Sequence, residues 1–131
     1  MFVDASALVA ILFGEPEARS FRDLIDKAAT VLVSPVGIYE TTTALMRQTG
    51  KSRTDVTALI DTMLQSSKAV VVPIDKLVGS IALEAFERYG KGRHKATLNM
   101  GDCFSYACAK AHGVPLLFKG NDFIYTDIPT A

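Results

Sequence analysis

Short apolar segments alternate with longer segments of helical periodicity along the whole chain. Four apolar segments have the composition of buried strands, at residues 2–3, 31–33, 69–72 and 114–118, and a further candidate lies at 127–128. The segments between them place apolar side chains at helical spacing and carry capping signals at their ends. The predicted helices cover residues 5–13, 16–28, 35–48, 52–66, 76–89 and 101–112, with a short helical turn at 121–125.

This order of elements predicts an α/β fold. Because the strand segments are uniformly apolar, both faces of their sheet should be covered by helices, as in parallel sheets. We therefore expect a central, mostly parallel sheet of four to five short strands. Residues 90–100 are polar and basic and are predicted to form a loop. No repeat or linker interrupts the chain, so a single domain over residues 1–131 is expected.

Composition narrows the functional classes. With 49% hydrophobic residues, the chain is too apolar for intrinsic disorder. Its 14 Lys and Arg residues balance 14 Asp and Glu residues, so any contact with nucleic acid must come from a local patch of charge. No apolar run approaches the roughly 20 residues of a membrane-spanning helix. The carboxylate at Asp4 argues against a signal peptide, so a cytoplasmic location is expected.

The two cysteines are predicted to be free thiols. Cys103 and Cys108 fall on one predicted helix, where their side chains diverge by about 140° and cannot form a disulfide.

Four carboxylates are placed where the predicted fold would bring them together. Asp4 directly follows the first strand, and Asp122 follows the fourth. Glu40 lies early in the helix after the second strand, and Asp102 opens the helix that leads to the fourth. Right-handed crossovers put all of these positions at the edge of the sheet formed by the carboxyl ends of its strands. The sequence therefore predicts one pocket containing these four acids.

The surroundings of Glu40 indicate that this pocket binds a cation. Its neighbours on the same helix face are Val36, Gly37, Thr43 and Ala44, none of which is positively charged. A carboxylate on such a face is costly unless a positive group meets it, and clustered carboxylates raise one another's pKa values. A hard divalent cation such as Mg²⁺ would relieve both costs.

Each acid also has an ordinary structural alternative. Asp4 and Asp102 have a residue type preferred at helix N-caps. Asp122 fits a turn, and Glu40 alone fits a partly exposed helical position. It is the joint placement of the four at one sheet edge that indicates a function.

Several sequence blocks carry a family resemblance. They are residues 2–6 (FVDAS), 34–40 (SPVGIYE), 90–106 (GKGRHKATLNMGDCFSY) and 116–123 (LLFKGNDF) followed by 126–128 (TDI). In this order and with these flanks, the chain resembles the PIN-domain ribonucleases, and in particular the VapC-type toxins of bacterial toxin–antitoxin pairs. The resemblance covers essentially the whole chain and implies a PIN-like three-layer α/β/α sandwich.

The resemblance also implies roles for individual residues. The four acids would form a catalytic pocket that holds Mg²⁺ or Mn²⁺, with Asp4 and Asp102 as the most direct ligands. Ser6 matches a small hydroxyl residue near the first acid. Many family members carry Thr or Ser shortly before the fourth acid, where this chain has FKGN at 118–121. Thr126 or Asp127 is therefore a candidate for the missing polar contact.

The implied reaction is metal-assisted hydrolysis of an RNA phosphodiester, which leaves 5′-phosphate and 3′-hydroxyl ends. The expected substrate is tRNA or another structured RNA.

The candidate RNA-binding surface is basic. Lys91, Arg93, His94 and Lys95 form the only dense basic cluster, and Lys119 lies shortly before the fourth acid. A solvated charged loop is the alternative interpretation of this cluster.

The aromatic residues near the predicted pocket are assigned to packing. Tyr39, Phe104 and Tyr106 are expected to pack in the core rather than to stack on RNA bases.

Two protein partners are implied as well. One is a cognate VapB-like antitoxin that fills the acidic groove, and the other is a second copy of this chain in a homodimer. The apolar faces at residues 38–46 and 56–64 are candidate dimer surfaces, with core packing as the alternative.

Two other functions compete with the ribonuclease. A receiver-type phosphoacceptor signalling domain also gathers acids at strand ends, but no acidic pair follows the first strand here. A catalytically silent PIN fold that only binds RNA or an antitoxin is disfavoured by the presence of all four acids.

Overall fold

The computed structural model describes residues 1–131 and consists of a four-stranded sheet with six α-helices. The first half of the chain forms β1 (Phe2–Val3), α1 (Ala5–Phe13), α2 (Ala18–Lys27), β2 (Leu32–Val33), α3 (Pro35–Thr49) and α4 (Arg53–Ser66). The second half forms β3 (Val70–Val71), α5 (Lys76–Tyr89), α6 (Met100–His112), β4 (Leu116–Leu117) and a 3₁₀ turn (Phe123–Tyr125). No helix is long and apolar enough to cross a membrane.

All four strands are parallel, in the order β3-β2-β1-β4. Phe2 is in register with both Leu32 and Leu116, so β1 is paired on both sides. The chain moves outward from β1 through β2 to β3 and then returns to the other side of β1 to form β4. In open α/β sheets, ligands bind at such a reversal, outside the carboxyl ends of the strands.

Each strand contributes one residue to each face of the sheet, as the alternation of side chains in a strand requires. Phe2, Leu32 and Leu116 pack into a cluster of 18 buried residues with α5 and α6. Their chain neighbours Val3, Val33 and Leu117 pack on the opposite face, mainly against α1 and α2. Helices therefore cover both faces of β1, β2 and β4, and the predicted three-layer α/β/α sandwich is confirmed. Val70 and Val71 of the edge strand β3 remain about half exposed.

The two candidate dimer surfaces pack against each other. Leu45 of α3 forms a buried cluster with Val56 and Ile60 of α4, and Ile38 and Leu64 lie against it. These apolar faces belong to the core of this chain, as the alternative interpretation held.

The strand expected at residues 127–128 does not form. The tail instead pairs at a single bridge between Leu116 and Thr130, where Leu116 N donates to Pro129 O (2.8 Å). The side chain of Asp127 accepts hydrogen bonds from Tyr106 and Lys110 of α6, which hold this residue against the helix rather than in the sheet.

The starts of two helices also differ from the prediction. Pro16 lies in a turn, and α2 begins at Ala18 after Glu17 as its N-cap residue. Asn99 is the N-cap of α6, so this helix begins at Met100 and Asp102 is its third residue. The two cysteines are free and buried, as predicted.

Candidate active site

A cleft of about 450 Å³ opens beside β1 at the carboxyl edge of the sheet. Its walls come from the start of α1, from one face of α3 and from the first turn of α6. Asp4, Glu40 and Asp102 all line it, so the fold brings together three of the four predicted acids.

Asp4 is both the N-cap of α1 and a wall of the cleft. Its carboxylate is buried, and Oδ2 accepts hydrogen bonds from Ser6 N (2.9 Å) and Ser6 Oγ (2.6 Å). Ser6 Oγ in turn accepts a hydrogen bond from Lys119 N (3.0 Å), in the loop after β4. One hydroxyl therefore orients the first acid and joins it to the adjacent edge of the sheet.

Glu40 rests on the backbone of α6. A Cβ atom added at Gly101 would come within 2.5 Å of Glu40 Oε2 and still closer to Oε1. Only glycine leaves room for this approach, which places the carboxylate near the positive end of the helix dipole. Burial, followed by the charges of Asp4 and Asp102, raises the pKa of Glu40 to about 7.

Asp102 belongs to a capping box. Its Oδ2 accepts a hydrogen bond from Asn99 N, and Asn99 Oδ1 accepts one from Asp102 N, both at 2.9 Å. The N-cap itself is Asn99, so the N-cap interpretation of Asp102 is wrong. Burial raises the pKa of Asp102 to about 6, with further increases from Asp4 and Asp122, although the hydrogen bond from Asn99 opposes them.

Asp122 lies outside the walls of the cleft. It is exposed, precedes the 3₁₀ turn and makes no side-chain capping hydrogen bond. Its negative charge still contributes to the raised pKa of Asp102, so it lies near enough to act on the pocket electrostatically.

The two candidates for a supporting polar contact lie elsewhere. Thr126 Oγ1 donates to Phe123 O (2.7 Å) and accepts from Ile128 N (3.3 Å), which closes the turn before the tail. Asp127 accepts from Tyr106 Oη (2.5 Å) and Lys110 Nζ (3.0 Å). Neither residue lines the cleft.

The predicted basic surface is also separate from the cleft walls. Arg93 lies over the ring of Phe86, and Lys95 lies over the ring of Tyr125. His94 Nδ1 accepts a hydrogen bond from Ala96 N (3.1 Å), so its imidazole is engaged locally.

The remaining two lysines of that surface differ from each other. Lys91 is exposed. Lys119 Nζ forms ion pairs with Glu15 and with Glu17 (3.3 Å), so its positive charge is already balanced by these carboxylates.

The oxygen donors of the pocket suit a hard cation, although the carboxylates lie too far apart for three of them to bind one ion. No group of three or more His, Cys, Asp or Glu side chains is close enough, as placed here, to hold a metal ion jointly. The oxygen donors of Asp4, Glu40 and Asp102 nevertheless share one partly buried cleft, and the charge of Asp4 contributes to the raised pKa values of Glu40 and Asp102. Mg²⁺ retains several waters and needs only one or two carboxylates, so this donor set suits it.

Two cleft residues were not predicted from the sequence. Tyr39 is 68% exposed and lines the cleft, which contradicts its assignment to core packing. Arg47 lines the cleft at the far end of α3. Tyr39 and Arg47 each lie four residues from Thr43, so the sequence puts all three on one face of α3. It does not show that this face meets the cleft.

Comparison with known proteins identifies the family. The model of the PIN domain matches residues 1–129. A VapC ribonuclease of Mycobacterium bovis is 40% identical over 130 residues, covering 99% of this chain and 97% of that protein. A VapC ribonuclease of Rhizobium meliloti is 42% identical over 139 residues, covering 97% and 98% respectively.

Solved structures agree in fold. The crystal structure of VapC20 of Mycobacterium tuberculosis, described as a sarcin–ricin loop cleaving toxin, superposes with a TM-score of 0.78 at 21% identity and covers 99% of this chain and 97% of its own. A chain of a toxin–antitoxin complex from Klebsiella pneumoniae superposes with a TM-score of 0.67 at 17% identity. The match covers 96% of this chain and 92% of that chain. The match to the PIN-domain model over residues 1–129 and the relatives at about 40% identity, together with an acidic cleft at the point where the strand order reverses, show that the chain belongs to the PIN-domain family, among the VapC ribonucleases.

Proposed function

We propose that this chain is a Mg²⁺-dependent endoribonuclease toxin that cleaves tRNA or another structured RNA. The observation that carries the proposal is the convergence of Asp4, Glu40 and Asp102, from distant parts of the chain, in one cleft. The ribonuclease names of relatives at about 40% identity over nearly the full chain support the reaction class.

Each acid has a distinct part in the proposed reaction. Asp4, fixed by Ser6, and Asp102, fixed by the capping box, are the proposed direct ligands of the cation. When bound, the metal lowers the pKa of a water and neutralises charge on the scissile phosphate. Glu40 lines the cleft and would accept a hydrogen bond from the attacking water, whereas Asp122, outside the cleft walls, would add only negative charge to the acidic set.

The test is cleavage of end-labelled RNA by the purified protein. Total tRNA and a sarcin–ricin loop fragment are incubated with Mg²⁺, with Mn²⁺ or with EDTA. We expect discrete cuts with 5′-phosphate ends that need metal and disappear in Asp4→Asn and Asp102→Asn. Asn is as good an N-cap as Asp, so Asp4→Asn should fold normally.

A matched control separates the site from general loss of charge. Asp61 is an exposed carboxylate of α4, outside the cleft, and Asp61→Asn should cleave as the parent does. Full activity of Asp4→Asn, or cleavage that persists in EDTA, would refute the assignment. Folded protein that cuts neither RNA under any condition would favour the catalytically silent binding module.

We further propose an antitoxin and a homodimer as partners. Since the predicted faces of α3 and α4 are used mainly in the core, we place the second copy on the exposed apolar side of α5 and the start of α6. Leu83, Phe86 and Met100 line an apolar groove there. Sedimentation of the parent and of Leu83→Lys tests the dimer, and loss of association in the variant is expected.

A further inference from the structure

One face of α3 forms a continuous wall of the acidic cleft. Tyr39, Thr43 and Arg47 are spaced by four residues each and all line the cleft. At about 1.5 Å per residue, the row extends for about 12 Å along the helix, next to Glu40. A stacked nucleic-acid strand advances by about 3.4 Å per nucleotide, so this row matches about three nucleotides.

Tyr39 is the only aromatic side chain in the walls of the cleft, and it is 68% exposed. No aromatic or cationic side chain of the protein stacks on its ring. A free aromatic face at the rim of a polar cleft is suited to stacking on a flat, apolar surface such as a nucleobase.

Arg47 is the only cationic residue in the walls of the cleft. Its guanidinium is exposed and takes part in none of the ion pairs or side-chain hydrogen bonds of the protein. A planar guanidinium with free donors binds phosphate oxygens in a bidentate manner. The position in the last turn of α3 also favours a cation through the helix dipole, so a purely structural role must be tested separately.

Of the other candidate cations, Lys91 is exposed and lies outside the walls of the cleft, whereas Lys119, Arg93 and Lys95 have partners in the protein. Lys119 is paired with Glu15 and Glu17. Arg93 and Lys95 lie over aromatic rings of the protein. Arg47 is therefore the available positive charge next to the acids.

We propose that Tyr39 and Arg47 form a subsite for an unpaired RNA strand, in which Tyr39 stacks on a base and Arg47 binds a backbone phosphate. The subsite rests on the proposed function and specifies its substrate, because bases in a duplex are not free to stack on a protein side chain. Thr43 lies between the two and is passive, since its hydroxyl donates to Glu40 O (3.1 Å) of its own helix.

The test is binding of a fluorescein-labelled, unstructured 12-nucleotide RNA, followed by anisotropy at several salt concentrations. Asp4→Asn protein with Mg²⁺ is used so that the RNA stays intact. Tyr39→Ala should weaken binding about tenfold with the same salt dependence, whereas Tyr39→Phe should bind as the parent does. Arg47→Gln should weaken binding and reduce the slope of log affinity against log salt by about 0.7, the value for one phosphate contact on a single strand.

The controls separate the subsite from charge and from folding. Arg53 is exposed at the start of α4, away from the cleft, and Arg53→Gln should leave affinity and salt slope unchanged. Arg47→Lys should keep the salt slope and the thermal midpoint, because it keeps the charge at the end of α3. On a blunt RNA duplex, Tyr39→Ala should have no effect.

Two results would overturn the subsite. The first is that the Tyr39→Ala and Arg47→Gln variants bind the single-stranded RNA as tightly as Arg53→Gln does. The other is an equal loss on single-stranded and duplex RNA. Failure of the proposed function has a different signature, which is parent protein that cuts no RNA with Mg²⁺ or Mn²⁺ although Tyr39→Ala and Arg47→Gln still weaken binding.

Discussion

At the scale of single residues, Gly101 determines the geometry of the pocket. Its lack of a side chain lets the carboxylate of Glu40 lie against the first turn of α6, where any Cβ would overlap both carboxylate oxygens. The displaced group would be the end of a flexible side chain rather than backbone. The effect of a substitution should therefore fall on the reaction more than on the fold.

We predict that Gly101→Ala lowers the cleavage rate by at least about tenfold, because displacing a reacting group by about 1 Å is enough to cause such losses. The free energy of unfolding should change by less than about 1 kcal/mol, since the higher helix propensity of Ala offsets the contact. Cleavage kinetics and urea unfolding of the same preparation measure the two effects.

Gly79→Ala is the matched control. Gly79 lies in α5 with no atom within 4 Å of its added Cβ. This variant should keep full activity and gain up to about 1 kcal/mol of stability. If both variants lose activity equally, the contact with Glu40 is not the cause.

The sequence is sufficient to bring three of the four acids and Ser6 to one cleft, but not to place Tyr39, Arg47 and Gly101 beside them. Asp4 and Asp102 follow from strand and helix ends, which are visible as changes of hydrophobic pattern. Tyr39, Arg47 and Gly101 depend on which face of α3 meets α6, and that orientation is set by tertiary packing. Thr126 was assigned by position alone, and a local turn hydrogen bond uses its hydroxyl instead.

At the scale of elements, the first turn of α6 contributes both to the stability of the helix and to the position of an acid in the cleft. The same capping box that starts this helix holds the carboxylate of Asp102 through Asn99. Loss of the Asn99 side chain should destabilise the start of the helix and thereby loosen Asp102 indirectly, because the backbone N–H that binds its carboxylate is retained.

We predict that Asn99→Ala lowers the free energy of unfolding by about 1 kcal/mol, the usual value of an N-cap side chain, and also reduces cleavage. Asn99→Ser should retain most of both properties, because Ser is a comparable cap. Urea unfolding of the three proteins is the measurement. Equal stability of the Ala and Ser variants would show that the side-chain cap contributes nothing.

Helices were easier to predict than strands. Helix ends carry caps such as Ser34, Ser52 and Asp75, whose side chains accept hydrogen bonds as the sequence suggests. The strands are only two residues each, so β1 has its predicted length whereas β2, β3 and β4 are shorter than their apolar segments. Asn99 was overlooked since Asp102, three residues later, is an equally good cap by residue type.

At the scale of the whole molecule, Asp127 ties the tail to two helices. Its carboxylate accepts from Tyr106 and Lys110 of α6 and lies 3.6 Å from Arg88 Nη1 of α5. The hydrogen bond from Tyr106, followed by the effects of Lys110 and Arg88, lowers the pKa of Asp127 to about 2. Burial, followed by the same contact, raises the pKa of Tyr106 to about 12.

We predict that Asp127→Asn destabilises the protein near neutral pH by about 1 kcal/mol, a value reduced for solvent screening because the carboxylate is partly exposed. A carboxyl with a lowered pKa in the folded state contributes stability above its unfolded pKa and loses it as pH falls through the folded pKa. The difference between parent and variant should therefore shrink from about pH 4 toward about pH 2.

Urea unfolding at neutral pH and near pH 3 measures this linkage. Tyr106→Phe is the control, because it removes the largest cause of the lowered pKa and should weaken the pH dependence. A difference between parent and Asp127→Asn that does not change with pH would contradict the assignment.

The position of β1 between β2 and β4 has a consequence for synthesis of the protein. The first strand emerges from the ribosome early, but its second neighbour and the helix that carries Asp102 are made last. Until then the nascent chain holds only Asp4 and Glu40 and has no complete cleft. If this cleft carries the proposed cleavage, the chain should be unable to cut RNA until α6 and β4 have left the ribosome.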